Sequence, residues 1–306
     1  MTSSSTSVAA RPSVHRVALA QIAPVLADRQ RNVTLHLEQI QAAREQEADL
    51  IVFPELSLTG YFVRDMVPDV AITPDAPEIR DLLDAAGPMA VVLGFVEESP
   101  QNRFYNSVLY AEGGRVVHLH RKVYLPTYGM FDEGRDFARG EVIRSFAAPH
   151  GPSGLLICED VWHPATSWIL VQDGAEVLFV LSSGPTRGAK PGRGITSLPV
   201  WHDLLRTTAQ FQTSFVVYVN RVGYEDGLNF GGGSIAIDPF GRTLAALPGL
   251  AAGVIVAELD AEVLRRARAA YPLLRDENLE LVHREVSRIR HERFQIPEAA
   301  APRRPR

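Results

Sequence analysis

The chain has a single cysteine, Cys158, in 306 residues. A lone thiol excludes an internal disulfide and a multi-cysteine zinc cluster. Long apolar runs are missing too, and none approaches the roughly 20 residues of a membrane span. Basic charge is not in excess: 31 Lys and Arg stand against 36 Asp and Glu, a formal net charge of −5. Nothing in that balance draws nucleic acid. The start, Met-Thr-Ser-Ser-Ser-Thr-Ser, lacks the apolar segment of a secretory signal. No GxGxxG opens a helix after a strand and no P-loop occurs, so nucleotide binding has no support. The expectation from these absences is a cytoplasmic protein whose one thiol stays reduced, with no membrane and no nucleic-acid partner.

What is present is a large apolar fraction, 46% of residues, enough for a substantial core. Strand-like and helix-like segments alternate from Val14 to about Ala270 without a long linker. Val17–Ile22, Asp49–Phe53, Ala90–Val96, Leu155–Ile157, Val177–Leu181, Phe215–Val219 and Val254–Leu259 read as strands. Asn32–Gln46, Ala76–Ala86, a segment including Trp168–Leu170, and Trp201–Gln212 read as helices. Hairpins are expected over Phe104–Leu119, turning at Glu112-Gly113-Gly114, and over Ser234–Leu247, turning at Asp238-Pro239-Phe240-Gly241. Arg121–Gly140 and Ser182–Pro199 read as long loops, the second rich in Gly and Pro. The mixture points to α/β layers with parallel and antiparallel pairs. Residues 1–13 read as a disordered lead-in, 14–270 as one domain, and 271–306 as a C-terminal extension with a disordered end.

Candidate chemistry lies at strand ends and in loops. Cys158 follows the apolar run Leu155-Leu156-Ile157, and Glu55 follows Leu50–Phe53 through Pro54. Lys122 and Glu133 lie within Arg121–Gly140, a loop rich in Pro, Gly and charge. Each alone reads as ordinary: a buried thiol, surface glutamates, a solvated lysine. Together they are the parts of an acyl-transfer site. A carboxylate can take the thiol's proton, and an ammonium with a backbone N–H can hold the oxyanion.

Three stretches carry a resemblance. Phe53-Pro54-Glu55-Leu56-Ser57-Leu58-Thr59-Gly60-Tyr61, His120-Arg121-Lys122-Val123-Tyr124-Leu125-Pro126 and Ile157-Cys158-Glu159-Asp160 resemble, in order and spacing, the glutamate, lysine and cysteine motifs of the nitrilase superfamily of carbon-nitrogen hydrolases. The likeness covers about residues 14–260. It implies a four-layer α-β-β-α sandwich pairing into homodimers or larger homo-oligomers. It implies Cys158 as nucleophile, Glu55 as general base, Lys122 and the backbone N–H of Glu159 as oxyanion donors, and Glu133 as the second glutamate. It also implies no metal or organic cofactor.

The contexts Leu125–Glu133 and Cys158–Pro164 resemble the glutaminase domain of glutamine-dependent NAD synthetase more than nitrilases proper. That likeness implies pocket roles for Tyr128 and Phe131, each of which could equally be packing. The chain has no Ser-Gly-Gly-x-Asp-Ser loop for ATP. Leu181-Ser182-Ser183-Gly184-Pro185-Thr186-Arg187 also departs from the family's asparagine at that strand end. Ser183 remains a pocket serine by position. Arg187 is a candidate partner for a substrate carboxylate or a solvated loop arginine. The expected activity is hydrolysis of a small primary amide, glutamine-like or an ω-amide, through a thioester with loss of ammonia. The alternative is a glutaminase subunit that feeds a separate synthetase. A nitrilase, an N-carbamoyl hydrolase and a non-catalytic scaffold rank below both.

Overall fold

The computed structural model describes residues 13–186, 189–190, 194–195 and 197–296. The ends expected to be disordered lie outside these residues apart from Ser13, and so does Arg187. The strands are β1 (Val14–Gln21), β2 (Leu50–Val52), β3 (Ala90–Glu98), β4 (Phe104–Glu112), β5 (Arg115–Arg121), β6 (Ser153–Ile157), β7 (Val177–Ser182), β8 (Ala189–Lys190), β9 (Gly194–Ile195), β10 (Phe215–Asn220), β11 (Val222–Glu225), β12 (Leu228–Gly231), β13 (Ile235–Ile237), β14 (Thr243–Ala246) and β15 (Gly253–Asp260). The helices are α1 (Arg29–Glu45), α2 (Val67–Val70), α3 (Pro77–Ala86), α4 (Glu133–Asp136), α5 (Pro164–Gln172), α6 (Ser197–Gln212), α7 (Ala261–Ala270), α8 (Leu273–Asp276) and α9 (Leu279–Phe294).

Two mixed sheets carry the fold. One has the order β15-β1-β2-β3-β4-β5, the other β14-β13-β10-β7-β6. Strands β1, β2 and β3 run parallel, as do β6, β7 and β10, while the flanking strands pair antiparallel. Alternation sorts side chains to the two faces. Val17, Leu19, Leu50, Val52, Val92 and Val108 face a core shared with the second sheet's Leu155, Phe179 and Val217. Their neighbours Ala18, Ala20, Ile51, Val91, Leu93 and Leu109 pack against α1 and α3 through Ile40, Ala43, Ile79 and Leu82. Leu170 of α5 and Leu205 and Ala209 of α6 close the far side. The layers are therefore helix, sheet, sheet, helix, as expected.

Local chemistry explains the element ends. The Asp28 side chain accepts the Arg31 N–H at 3.0 Å and caps α1. Pro77 opens α3, and Gly87 at φ +62° ends it.

Some elements differ from the sequence expectation. β1 begins at Val14, because β15 pairs with it as far as Asp260. Within Ser182–Pro199 lie β8, β9 and the first turn of α6. Pro199 is tolerated in that turn because its missing N–H has no helical partner to lose. The hairpin of β11 and β12 was not expected. Its two-residue turn, Asp226-Gly227, has φ of +49° and +78°, which favours the twist of a tight hairpin. Among the described residues no helix is long and apolar enough to cross a membrane.

Candidate active site

The parallel strands of both sheets end at one edge of the sandwich, where the chain must turn and backbone groups are free to build a site. Glu55 follows β2, Lys122 follows β5, Cys158 follows β6, Ser182 ends β7 and Ser183 follows it. Glu55 can tuck under the first sheet because residue 94 is glycine. A Cβ there would stand 2.5 Å from the Leu56 nitrogen and 2.7 Å from the Pro54 oxygen.

The fold brings all four proposed catalytic residues together. Lys122 Nζ is buried and donates to Glu55 Oε1 at 2.8 Å and to Glu133 Oε1 at 2.6 Å. Glu55 Oε1 also accepts from Asn106 Nδ2 at 2.8 Å, and Oε2 accepts the Ser183 N–H at 2.6 Å. The Ser183 hydroxyl returns a bond to the Glu55 carbonyl at 2.9 Å, so Ser183 holds Glu55 from both sides. Glu133 Oε1 accepts the Tyr61 hydroxyl at 2.5 Å. Its Oε2 is buried without a hydrogen-bond partner among the described residues.

Two carboxylates share one ammonium in a dry site, and the charges adjust accordingly. Burial, and then repulsion from Glu55, push the Glu133 carboxyl up to about 7, against the pull of Lys122 and Tyr61. Burial disfavours the Lys122 cation, yet Glu133 and Glu55 hold it well above the usual lysine range. Burial and the negative charge of Glu55 push the Cys158 thiol up, with Lys122 opposing them. The resting sulfur is therefore a thiol at neutral pH. Ser182 Oγ donates to it at 3.3 Å. Cys158 has φ +45°, a left-handed conformation that a non-glycine residue adopts only under constraint.

Asp160 supplies that constraint. Its Oδ1 accepts the N–H groups of Val123 and Tyr124 at 3.0 Å each. Its Oδ2 accepts from the Ile157 N–H at 3.0 Å and bonds His120 Nε2 at 2.8 Å. One buried carboxylate thus ties the lysine segment to the cysteine segment.

The pocket candidates are placed as follows. Tyr128 is exposed and its hydroxyl donates to Glu159 Oε2 at 2.8 Å. The Phe131 ring stands edge-on to Tyr61 and Tyr128, with centroids at 6.2 and 5.7 Å. Tyr61, Phe62, Met130, Phe131, Glu133 and Phe137 line a cavity of about 220 Å³, with Arg64, Asp132, Arg135 and Asp136 also on its wall. A wider groove of about 600 Å³ runs between α5, α6 and α8, away from this chemistry. Sequence reasoning gave no role to Asn106, Tyr61, Asp160, Ser182, Arg221 or Glu225. Tyr61 and Asp160 lay inside quoted motifs, and the Asp226-Gly227 turn was the signal for the hairpin that carries Glu225.

Residues 16–269 match the carbon-nitrogen hydrolase family. The chain belongs to that family. It is a hydrolase of carbon-nitrogen bonds on the nitrilase fold. An (R)-stereoselective amidase from Pseudomonas sp. is 37% identical over 270 residues, covering 87% of this chain and 92% of that one. Glutamine-dependent NAD(+) synthetase from Acinetobacter baylyi is 31% identical over 250 residues, covering 82% of this chain and 45% of that protein. The chain thus spans less than half the length of that synthetase. A mutant amidase from Nesterenkonia sp. AN1 superimposes with a TM-score of 0.71 at 26% identity, over 89% of this chain and 96% of that one. That structure carries the acetamide moiety of fluoroacetamide on its active-site cysteine.

Proposed function

We propose that the protein is a thiol amidase that hydrolyses a small primary amide and releases ammonia. The observation that carries this reading is the fully buried Lys122, hydrogen-bonded to Glu55 and Glu133 beside Cys158. Such a charge cluster is costly to bury and is the kind of arrangement that tunes acid-base groups. Glu55 takes the thiol proton as sulfur attacks the amide carbon. The oxyanion is held by the Lys122 ammonium and the Glu159 N–H. Collapse passes the proton from Glu55 to the leaving nitrogen, expels ammonia and leaves a thioester on Cys158. Water then attacks, Glu55 removes its proton, and the carboxylic acid leaves as the thiol reforms.

The cavity beside Glu133 is small, which suits a compact acyl group, and its wall sets Tyr61, Phe62, Phe131 and Phe137 beside Arg64, Asp132, Arg135 and Asp136, so it suits a group with both apolar and polar parts. The near full-length match to a stereoselective amidase supports the same reading and makes chirality at the acyl group worth testing. A second reading, a glutaminase that delivers ammonia to a separate synthetase, is favoured by the likeness to NAD synthetases. A reducing cytoplasmic setting and a homo-oligomeric assembly belong to the same proposal. The test is ammonia release over primary amides in both enantiomers, ω-amides, glutamine, N-carbamoyl compounds and nitriles. A thioester should add mass to the wild type and not to Cys158→Ala. Activity in Cys158→Ala refutes the reading. Turnover of glutamine that rises only with a synthetase present favours the second.

A further inference from the structure

Arg221 and Glu225 have no part in the cycle just described, yet they form an ion pair with side chains only 1% and 2% exposed. Burying such a pair is expensive, and apolar residues could fill the space. The contacts show what the pair holds. Glu225 Oε2 accepts from Arg221 Nη1. Glu225 Oε1 accepts the backbone N–H groups of Tyr61 at 2.8 Å and Phe62 at 2.7 Å. Arg221 is fixed in turn, donating Nη2 to the Pro24 carbonyl at 3.0 Å with its guanidinium 4.2 Å from the Phe230 ring centre. The approach depends on Gly60, where a Cβ would stand 2.7 Å from Glu225 Oε2. From this pinned backbone Tyr61 donates to Glu133 Oε1, the same oxygen that binds Lys122.

We propose that Arg221 and Glu225 are positioning residues: they clamp the Tyr61 backbone so that its hydroxyl stays on Glu133, and through Glu133 they aim the Lys122 ammonium. The proposal rests on the amidase reading above. Glu133 is faced by Lys122 at the end of β5, by Tyr61 and Glu55 after β2, and by Cys158 after β6. Of these, Lys122 and the Tyr61 hydroxyl favour its ionised form. Losing the clamp therefore misaims one of the two groups that keep Glu133 charged.

The experiment is a double-mutant cycle of Glu225→Gln and Tyr61→Phe, read as kcat, KM and pH profile on the best amide. Tyr61→Phe should lower kcat roughly ten- to a hundredfold, the worth of a hydrogen bond to a charged group. Its KM should change little. Glu225→Gln should lower kcat comparably and move the acid limb to higher pH, as Tyr61→Phe does. The double variant should fall no further than the worse single, because both changes remove one interaction. Losses that multiply, or an acid limb unmoved by Glu225→Gln, overturn the clamp. Arg221→Lys, which keeps the charge but not the fork, gives the same cycle if Glu225→Gln does not fold. Cys158→Ala separates the two levels. Activity there rejects the amidase reading itself, whereas an inactive Cys158→Ala with multiplying losses rejects only the clamp.

Discussion

Replacing Lys122 with methionine keeps much of the side-chain volume and removes the charge between Glu55 and Glu133. Both carboxylates then lose an ammonium at 2.8 and 2.6 Å. Glu55 keeps Asn106 and the Ser183 N–H, whereas Glu133 keeps, among the described residues, only the Tyr61 hydroxyl. Breaking one buried pair costs about 3–5 kcal/mol. Proton uptake limits the damage. Glu133 already sits up at about 7, and Lys122 is the group that holds it down most. Without Lys122 it rises further and binds a proton at neutral pH. A carboxyl whose folded pKa lies above its unfolded value gives stability at low pH that is lost as pH rises through the folded pKa. Lys122→Met should therefore melt higher at pH 6 than at pH 8.

Stability and chemistry separate in a second variant. Lys122→Met/Glu133→Gln removes the stranded carboxylate, so it should recover most of the lost melting temperature and little of the pH slope. It should recover no activity, because the oxyanion still lacks its cation. Loss of one such donor lowers kcat by roughly 10²–10³. Thermal melts across pH and initial rates of ammonia release read both quantities on the same samples. A variant with unchanged kcat and raised KM refutes the oxyanion role. A melting temperature indifferent to pH refutes the charge argument.

Three further outcomes follow from single contacts. Asp160→Asn keeps one oxygen but turns an amide towards N–H donors on one side. It should cost about 1.5–3 kcal/mol, the worth of a hydrogen bond to a charged group, and slow turnover, with denaturant melts and kcat as readouts; wild-type rates at full stability would count against it as the tie between the lysine and cysteine segments. His36 is fully buried, bonds the Asn32 carbonyl at 2.7 Å and Ser57 Oγ at 2.9 Å, and burial pulls it down to about 4. A lowered histidine gives stability above its unfolded value near 6.5 that is lost as pH falls towards 4, here about 3 kcal/mol; acid unfolding of His36→Gln should lose that slope. Gly94→Ala should push the Pro54–Leu56 turn away by its Cβ clash and cost about 1–3 kcal/mol, with kcat falling as Glu55 moves; an unchanged rate would show that the turn yields without moving the carboxylate.

Much of this was legible in the sequence, for reasons that differ by element. The central strands are buried on both faces, so they appear as apolar runs such as Val177–Leu181. Glu55 and Cys158 each follow such a run and Lys122 follows His120-Arg121; alone each read as ordinary, and they stood out only as a set, through the three motifs that carry them. Asn106 did not, because one polar residue in an alternating strand reads as a solvent-facing position. It is in fact buried against Glu55. Arg221 and Glu225 were hidden for a related reason. In Asn220-Arg221-Val222-Gly223-Tyr224-Glu225 the charges look like a surface connection, and only the return of β11 and β12 over Phe62 buries them. Sequence shows which residues can carry charge, whereas burial depends on pairings between distant segments.

The protonated thiol sets the order of events in the proposed cycle. Burial and Glu55 outweigh Lys122 in raising Cys158, so a resting thiolate would place a second negative charge beside Glu55 at high cost. Lys122 cannot offset it alone, since its ammonium already faces two carboxylates. The charge conflict disappears if the proton reaches Glu55 while the carbon–sulfur bond forms. Negative charge then moves from Glu55 to the carbonyl oxygen, and Lys122 follows it from one to the other. The ammonium is thus held strongly before attack and becomes free to serve the oxyanion as Glu55 is neutralised. This coupling explains why the site buries a carboxylate, an ammonium and a thiol together instead of lowering the thiol pKa. It predicts a solvent isotope effect on the acylation step when heavy water replaces water, and a rate that does not climb with pH above neutrality as a free thiolate's would. A single-turnover rate that rises tenfold per pH unit above 8 would mean that the thiolate forms first.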